Sequence, residues 1–191
     1  MGPPGDTCRV VRKLAFFAFV ASAATIACTS TAFAAGASIV APASSCPQVR
    51  LDAAAQAQEE AMLCLTDYAR DKVGLGPLEA TPQLEESAAD KGADVLACNS
   101  FSHTACGREF TFWMRETGYL STECWRAGEN LAWGAGEYGT VASIFRAWLR
   151  SPTHRANVLG DYSQIGINLQ VGSLNGRKNV HVWTQHFGLH C

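Results

Sequence analysis

No run of basic residues longer than Arg177-Lys178 occurs anywhere in this 191-residue chain, whose formal charge is −2. A surface of that sign offers no electrostatic footprint for a phosphate backbone, so nucleic acid is not an expected partner. Also missing are a Cys-x-x-Cys knuckle, a Gly-x-Ser-x-Gly nucleophile turn, a His-Glu-x-x-His pair and any internal repeat. These absences remove the usual zinc-ligand spacing, the serine-hydrolase elbow and the common zinc-protease signature. Apart from the N-terminus, no hydrophobic run approaches the roughly 20 residues needed to span a bilayer.

The N-terminus reads as an export signal. Arg9, Arg12 and Lys13 precede an apolar run from Leu14 to Cys28, interrupted by Ser22 and Thr25, and Ala32-Phe33-Ala34 supplies small residues for cleavage. Residues 1–34 are therefore expected to leave, making the charge about −4 through loss of Arg9, Arg12, Lys13 and Asp6. The alternative is a lipid anchor on Cys28, although Thr25 stands where an aliphatic residue is usual. Residues 35–45 are small, apolar and featureless, expected as a flexible tether. Residues 46–191 have the length of one domain with a single sizeable core.

Six of the eight cysteines lie beyond the signal: Cys46, Cys64, Cys98, Cys106, Cys124 and Cys191. An even number in an exported chain argues for three disulfides rather than a zinc cluster. Cys46 with Cys64 is the first expected pair, since it would pin the N-terminal segment to the first helix. The other pairings stay open.

Periodicity then orders the chain. Leu51 to Val73 predicts an Ala-rich helix closed by Gly74, and Thr81-Pro82 begins a second that runs toward Cys98. A short third helix spans Phe110 to Thr117. Val141, Ile144, Phe145, Trp148 and Leu149 make the apolar stripe of a fourth, Thr140 to Arg150, before Ser151-Pro152 restarts the chain as a capped turn. The period then changes to two: Ile165 to Val171 and Val180 to Phe187 alternate around Asn175-Gly176, and Asn130 to Trp133 is a further strand candidate. Helices packed on an antiparallel sheet follow.

The chemistry-bearing stretch is Gly128-Glu129-Asn130-Leu131, followed by Ser151-Pro152-Thr153-His154-Arg155-Ala156-Asn157, with His103 upstream. Together with Gly74-Leu75-Gly76-Pro77-Leu78, Phe101-Ser102-His103, Gly118-Tyr119, Trp148, Ile165-Gly166-Ile167, Trp183-Thr184-Gln185 and Phe187-Gly188, it resembles the CAP superfamily. That group joins cysteine-rich secretory proteins, antigen-five proteins and pathogenesis-related proteins, and the Ser-Pro-x-His-Arg-x-Asn form is similar to its bacterial branch. The resemblance covers roughly residues 58–188. It implies an α+β fold, an α-β-α sandwich with a small twisted antiparallel sheet between helical layers, braced by disulfides.

In members with the full cleft, two histidines and two glutamates meet there, in some cases on a divalent metal. The first histidine matches His103 and the first glutamate matches Glu129. The second glutamate corresponds to Ser151 and the last histidine to Val182, while His181, one position off, should face the other side of its strand. The resemblance thus implies a reduced binding cleft of His103, Glu129, Asn130, Ser151 and His154. Two imidazoles and a carboxylate could form an open zinc-type shell on His103 and His154, with Glu129 as candidate base, though no cofactor is required. The competing structural reading has Glu129 and Asn130 bonding loop amides and His154 bracing the Ser151 turn.

Expected function is a secreted, extracellular binding or interaction module, monomeric, taking a lipid, sterol-like or cell-wall ligand; the alternative is a metal-assisted hydrolase in the same cleft. Binding stands ahead of catalysis because Ser102 beside His103 has no orienting acid. Trp113 and Trp148 are expected in the core, whereas Trp125 and Trp133, which flank Glu129, could line a groove. His186 and His190 have no evident partners in the sequence.

Overall fold

The computed structural model describes residues 38–121 and 124–191. The signal and the Cys28 anchor of the sequence reading lie outside these residues. Four strands form one sheet in the order β1-β3-β4-β2, where β1 is Glu79–Ala80, β2 Trp125–Ala135, β3 Gln164–Leu174 and β4 Arg177–His190. The three long strands are antiparallel, as the alternation predicts, but two-residue β1 pairs parallel with β3 and makes the sheet mixed. The Asn175-Gly176 turn joins β3 to β4 with both residues at positive φ, 51° and 76°. That geometry matches the right-handed twist of the flanking strands.

Helices cover both faces. On one side lie α2 (Pro82–Ala97) and α3 (Phe112–Glu116); on the other lie α1 (Ala55–Asp71), α4 (Val141–Arg150) and α5 (Pro152–Val158). The result is the expected α-β-α sandwich. Helix α1 starts four residues later than its periodicity predicts, because Leu51 to Ala54 form a turn whose Leu51 and Ala53 carbonyls accept from the Gln58 side chain. Thr140 caps α4 by accepting from the Ser143 amide, and the predicted stripe of Val141, Ile144, Phe145, Trp148 and Leu149 is buried. Thr81 and Ser151 occupy N-cap positions without a capping hydrogen bond; the following proline fixes each helix start instead.

The main core packs α1, α4 and α5 on one sheet face through Met62, Phe145, Trp148, Ile165, Trp183 and Phe187. Across the sheet, Leu84 of α2 approaches so closely that a Cβ on Gly166 would lie 2.0 Å from its carbonyl carbon. Arg70, 3% exposed, ties α1 to its surroundings by donating to the carbonyls of Gly76, Val158, Gly160 and Tyr162. Within the stretch expected as a tether, Ile39 packs against the main core. Trp148 is a core residue, but Trp113 is half-buried because its Nε1 donates to Asp94 at 2.7 Å.

All six expected cysteines pair, as Cys46–Cys64, Cys98–Cys106 and Cys124–Cys191. The first is the expected bridge. The second closes the loop that carries His103. Among the described residues, no helix is long and apolar enough to cross a membrane.

Candidate functional site

Antiparallel register sets Glu129 of β2 directly opposite His186 of β4, with both side chains on the face covered by α2. Glu129 Oε2 lies 2.9 Å from His186 Nε2, and His186 Nδ1 lies 2.6 Å from Ser87 Oγ. The other oxygen, Oε1, lies 2.5 Å from Nδ1 of His103. Lys91, one turn beyond Ser87 on α2, donates from Nζ to the His103 carbonyl at 2.5 Å and stands 3.9 Å from Glu129 Oε2. Ser87, Lys91 and His186 are sealed, and the Glu129 side chain is 2% exposed. The His103 ring is 57% exposed. An imidazole is therefore held at the surface by a buried carboxylate, and its Nε2 has no hydrogen-bond partner among the described residues.

Burial pushes the Glu129 carboxyl up. The hydrogen bonds from His103 and His186 and the charges of His186 and Lys91 outweigh it and hold the group below its ordinary value. Burial pulls the Lys91 ammonium down, against the opposing pull of Glu129 and Asp94. The buried network is closed by mutual compensation.

The remaining predicted residues sit elsewhere. Asn130, fully buried on the opposite sheet face, donates to Gln185 Oε1 and to the His154 carbonyl, and accepts from Asn157, which also donates to the Glu129 carbonyl. It clamps α5 to β2. The preceding Gly128 leaves room for that clamp, since a Cβ there would lie 2.6 Å from the Tyr162 hydroxyl. Ser151 Oγ lies 2.8 Å from His154 Nδ1, forming a separate pair at the start of α5, which is the brace that the structural reading expects. Burial, then the charge of His103, lowers the His154 pKa, so the two imidazoles share an electrostatic neighbourhood.

The predicted zinc-type shell is not assembled. Both Glu129 oxygens are taken by histidine nitrogens, and among the described residues no group of three or more His, Cys, Asp or Glu is arranged to hold a metal ion. Glu129 instead orients His103, the role that outer carboxylates play for histidines. Ser87, His186 and Glu129 form a hydrogen-bonded Ser-His-Glu chain, yet Ser87 is fully buried and its hydroxyl contacts the Leu84 carbonyl at 3.0 Å. No substrate reaches it. Ser102 serves its own turn through the Thr104 amide and hydroxyl.

Sequence reasoning missed His186, Lys91 and Ser87. His186 stands four residues from Val182, hence on the same strand face, and that spacing was the available signal. Ser87 and Lys91 are polar residues at i and i+4 on the same face of α2 as core residues Leu84, Ala88 and Val95, a second signal. His181 does face the other side, donating from Nε2 to the Leu51 carbonyl. His190 contacts the Tyr119 carbonyl at 2.8 Å and stacks on its ring. Trp125 and Trp133 are half-buried against the α3 and α2 clusters.

The fold, the disulfides and the Gly-Glu-Asn strand define a cysteine-rich secretory type of domain, and residues 63–187 match the model of the CAP family described as "Cysteine-rich secretory protein family". The chain belongs to this family. It is similar to the uncharacterised protein YkwD of Bacillus subtilis (strain 168), 32% identical over 133 residues, which make up 69% of this chain and 47% of that one. The chain thus spans about half of that relative's length. Among solved structures it resembles an outer surface protein from Borrelia burgdorferi, with TM-score 0.54 and 22% identity over 66% of this chain and 87% of that one. It also resembles an extracellular protein containing an SCP domain from Bacillus anthracis, with TM-score 0.56 and 21% identity over 70% and 40% of the two chains.

Proposed function

We propose that the protein is exported and works outside the cell as a ligand-binding or interaction module, with the exposed imidazole of His103 as the polar anchor of its recognition surface. The carrying observation is the asymmetry of the His103–Glu129 pair: a surface ring fixed in position by a carboxylate that solvent does not reach. Fixing a rotamer in advance lowers the entropy cost of binding. Export is supported by three disulfides, by the signal-like N-terminus, and by the extracellular and outer-surface descriptions of the structural relatives. The ligand class that suits the surface is a lipid, sterol-like or cell-wall molecule whose polar group hydrogen-bonds His103 Nε2.

Metal-assisted hydrolysis is less well supported by the same geometry, because Glu129 has both oxygens engaged and is not available as a base for bound water. The test is titration of the purified domain with fatty acids, sterols and wall fragments, in parallel with a His103→Ala variant. We expect saturable binding by one class and at least about a tenfold loss in the variant. Flat curves for every class, or equal affinity in the variant, would overturn this reading.

A further inference from the structure

The solvent side of α1, on the sheet face opposite α2 and the Glu129 side chain, borders a groove of about 660 Å³. Its apolar wall is made by Leu63, Tyr68, Leu75, Pro77 and the Cys46–Cys64 disulfide. Leu63, Tyr68 and Leu75 are half-buried and Pro77 is exposed, so solvent reaches that wall. The volume falls within the range of binding pockets.

Glu60, Asp67 and Asp71 of α1 line the same groove, and among the described residues no cationic side chain does. Lys72 reaches one of them from outside: its Nζ lies 3.1 Å from Asp71 Oδ2 and 4.7 Å from the centre of the Tyr68 ring. The Asp71 end therefore already holds an ammonium against an aromatic face. Glu60 Oε1 accepts from the Gln56 amide and Asp67 Oδ1 from the Leu78 backbone N–H, but neither carboxylate has an ion-pair partner among the described residues. Burial pushes the Asp67 carboxyl above its ordinary value, against the Leu78 hydrogen bond and the charge of Arg70. A cation seated beside it would offset that cost.

Spacing narrows the occupant. Seven helical positions separate Glu60 from Asp67, which returns nearly to the same helix face and sets the two about 10 Å apart at roughly 1.5 Å per residue. A polyproline II segment repeats its own face every three residues, about 9 Å at roughly 3.1 Å per residue. Cations at its positions i and i+3 therefore meet both carboxylates, and the two residues between them point to either side, toward the apolar wall. A small amphiphile with one ammonium would satisfy only one carboxylate. An isologous contact with a second copy would set carboxylates against carboxylates. Anionic partners are repelled outright.

We propose that this groove docks a short basic segment of another protein in the polyproline II conformation, its cations at i and i+3 on Glu60 and Asp67 and the residues between them on Leu63, Tyr68 and Leu75. Grooves with an aromatic wall suit that conformation because the segment is ordered before it binds. The site is independent of the His103 surface. The test is titration of the isotopically labelled chain with acetyl-Lys-Pro-Leu-Lys-amide, with its counterpart carrying Glu for both Lys, and with the reordered acetyl-Lys-Lys-Pro-Leu-amide, followed by backbone amide shifts. Saturable shifts at Glu60, Cys64, Asp67 and Leu75, no binding of the acidic peptide, and about tenfold weaker binding both of the reordered peptide and to the double variant Glu60→Gln, Asp67→Asn are the expected result. Glu60 is exposed, and Asp67→Asn keeps an oxygen for the Leu78 N–H, so the double variant leaves the fold intact. Absence of saturable shifts, equal binding of the acidic or the reordered peptide, or shifts confined to the His103 loop would overturn the proposal. So would concentration-dependent shifts at the same amides without peptide, which would assign the face to a second copy.

Discussion

Glu129 is the residue on which the candidate site turns, because one carboxylate holds a surface histidine, a buried histidine and the field of a buried lysine. Glu129→Gln keeps the shape and removes the charge, so Lys91 loses a counter-charge while it stays buried. Breaking a buried ionic group of this kind costs about 3–5 kcal/mol. Urea denaturation at pH 7 is expected to place the variant below the parent by an amount in that range, with no change expected in the slope against denaturant. At this scale the sequence was half legible. Glu129 and His103 are read from motif positions, but the partner of each oxygen is a strand-register fact. His186 has nothing beside it in the sequence, and only the β2–β4 pairing carries it to Glu129.

Elements decide where such side chains can act. Helix α2 places Ser87 and Lys91 one turn apart on its sheet-facing side, and the loop that follows is closed by Cys98–Cys106, a separation of only eight residues. In the chain-entropy account a loop that short gives about 2 kcal/mol, whereas Cys124–Cys191, separated by 67, gives about 4. Replacing Cys98 and Cys106 by alanine is therefore expected to lower stability less than replacing Cys124 and Cys191. Ligand affinity at His103 should follow the opposite order, since of the two bridges the short one closes that loop. Thermal unfolding and ligand titration of both double variants check the two orders together. The helices themselves were legible because long amphipathic stripes, such as that of α4, declare their buried face. The ends were less so: α1 loses Leu51 to Ala54 to a turn that Gln58 ties down, a side-chain contact that periodicity does not register.

For the whole molecule, the charge network makes stability depend on pH in a stated direction. Glu129 titrates below its ordinary value in the fold, so its contribution is complete above the unfolded carboxyl pKa of about 4.3 and is lost as pH falls through the lower folded value. His154, whose pKa burial and His103 depress, contributes fully above about 6.5 and loses that contribution on further acidification. Glu59 runs the other way, because burial raises it, so a simple acid titration mixes signs. The difference between the parent and Glu129→Gln isolates the first effect. Denaturation midpoints at about pH 7, 4.5 and 3, which run from above the unfolded carboxyl value to below it, are expected to show an unchanged difference between the first two and a smaller one at the last; a constant gap throughout would contradict it.

Composition, cysteine parity and the change of period from about 3.6 to 2 were enough to determine a disulfide-braced domain of helices on a sheet whose long strands are antiparallel, and motif order was enough to determine its family; the short parallel strand β1 was not legible. Those features depend on local spacing and on residue type, which a linear text carries in full. Tertiary structure alone decided that Glu129 orients His103 instead of joining it as a third ligand, that Asn130 clamps α5 from the opposite face, and that Gln58 and His181 are left with unmet acceptors. Each is a contact between residues far apart in the chain, set by strand register and helix approach, and a shift of one residue in either would send the same side chains to the other face.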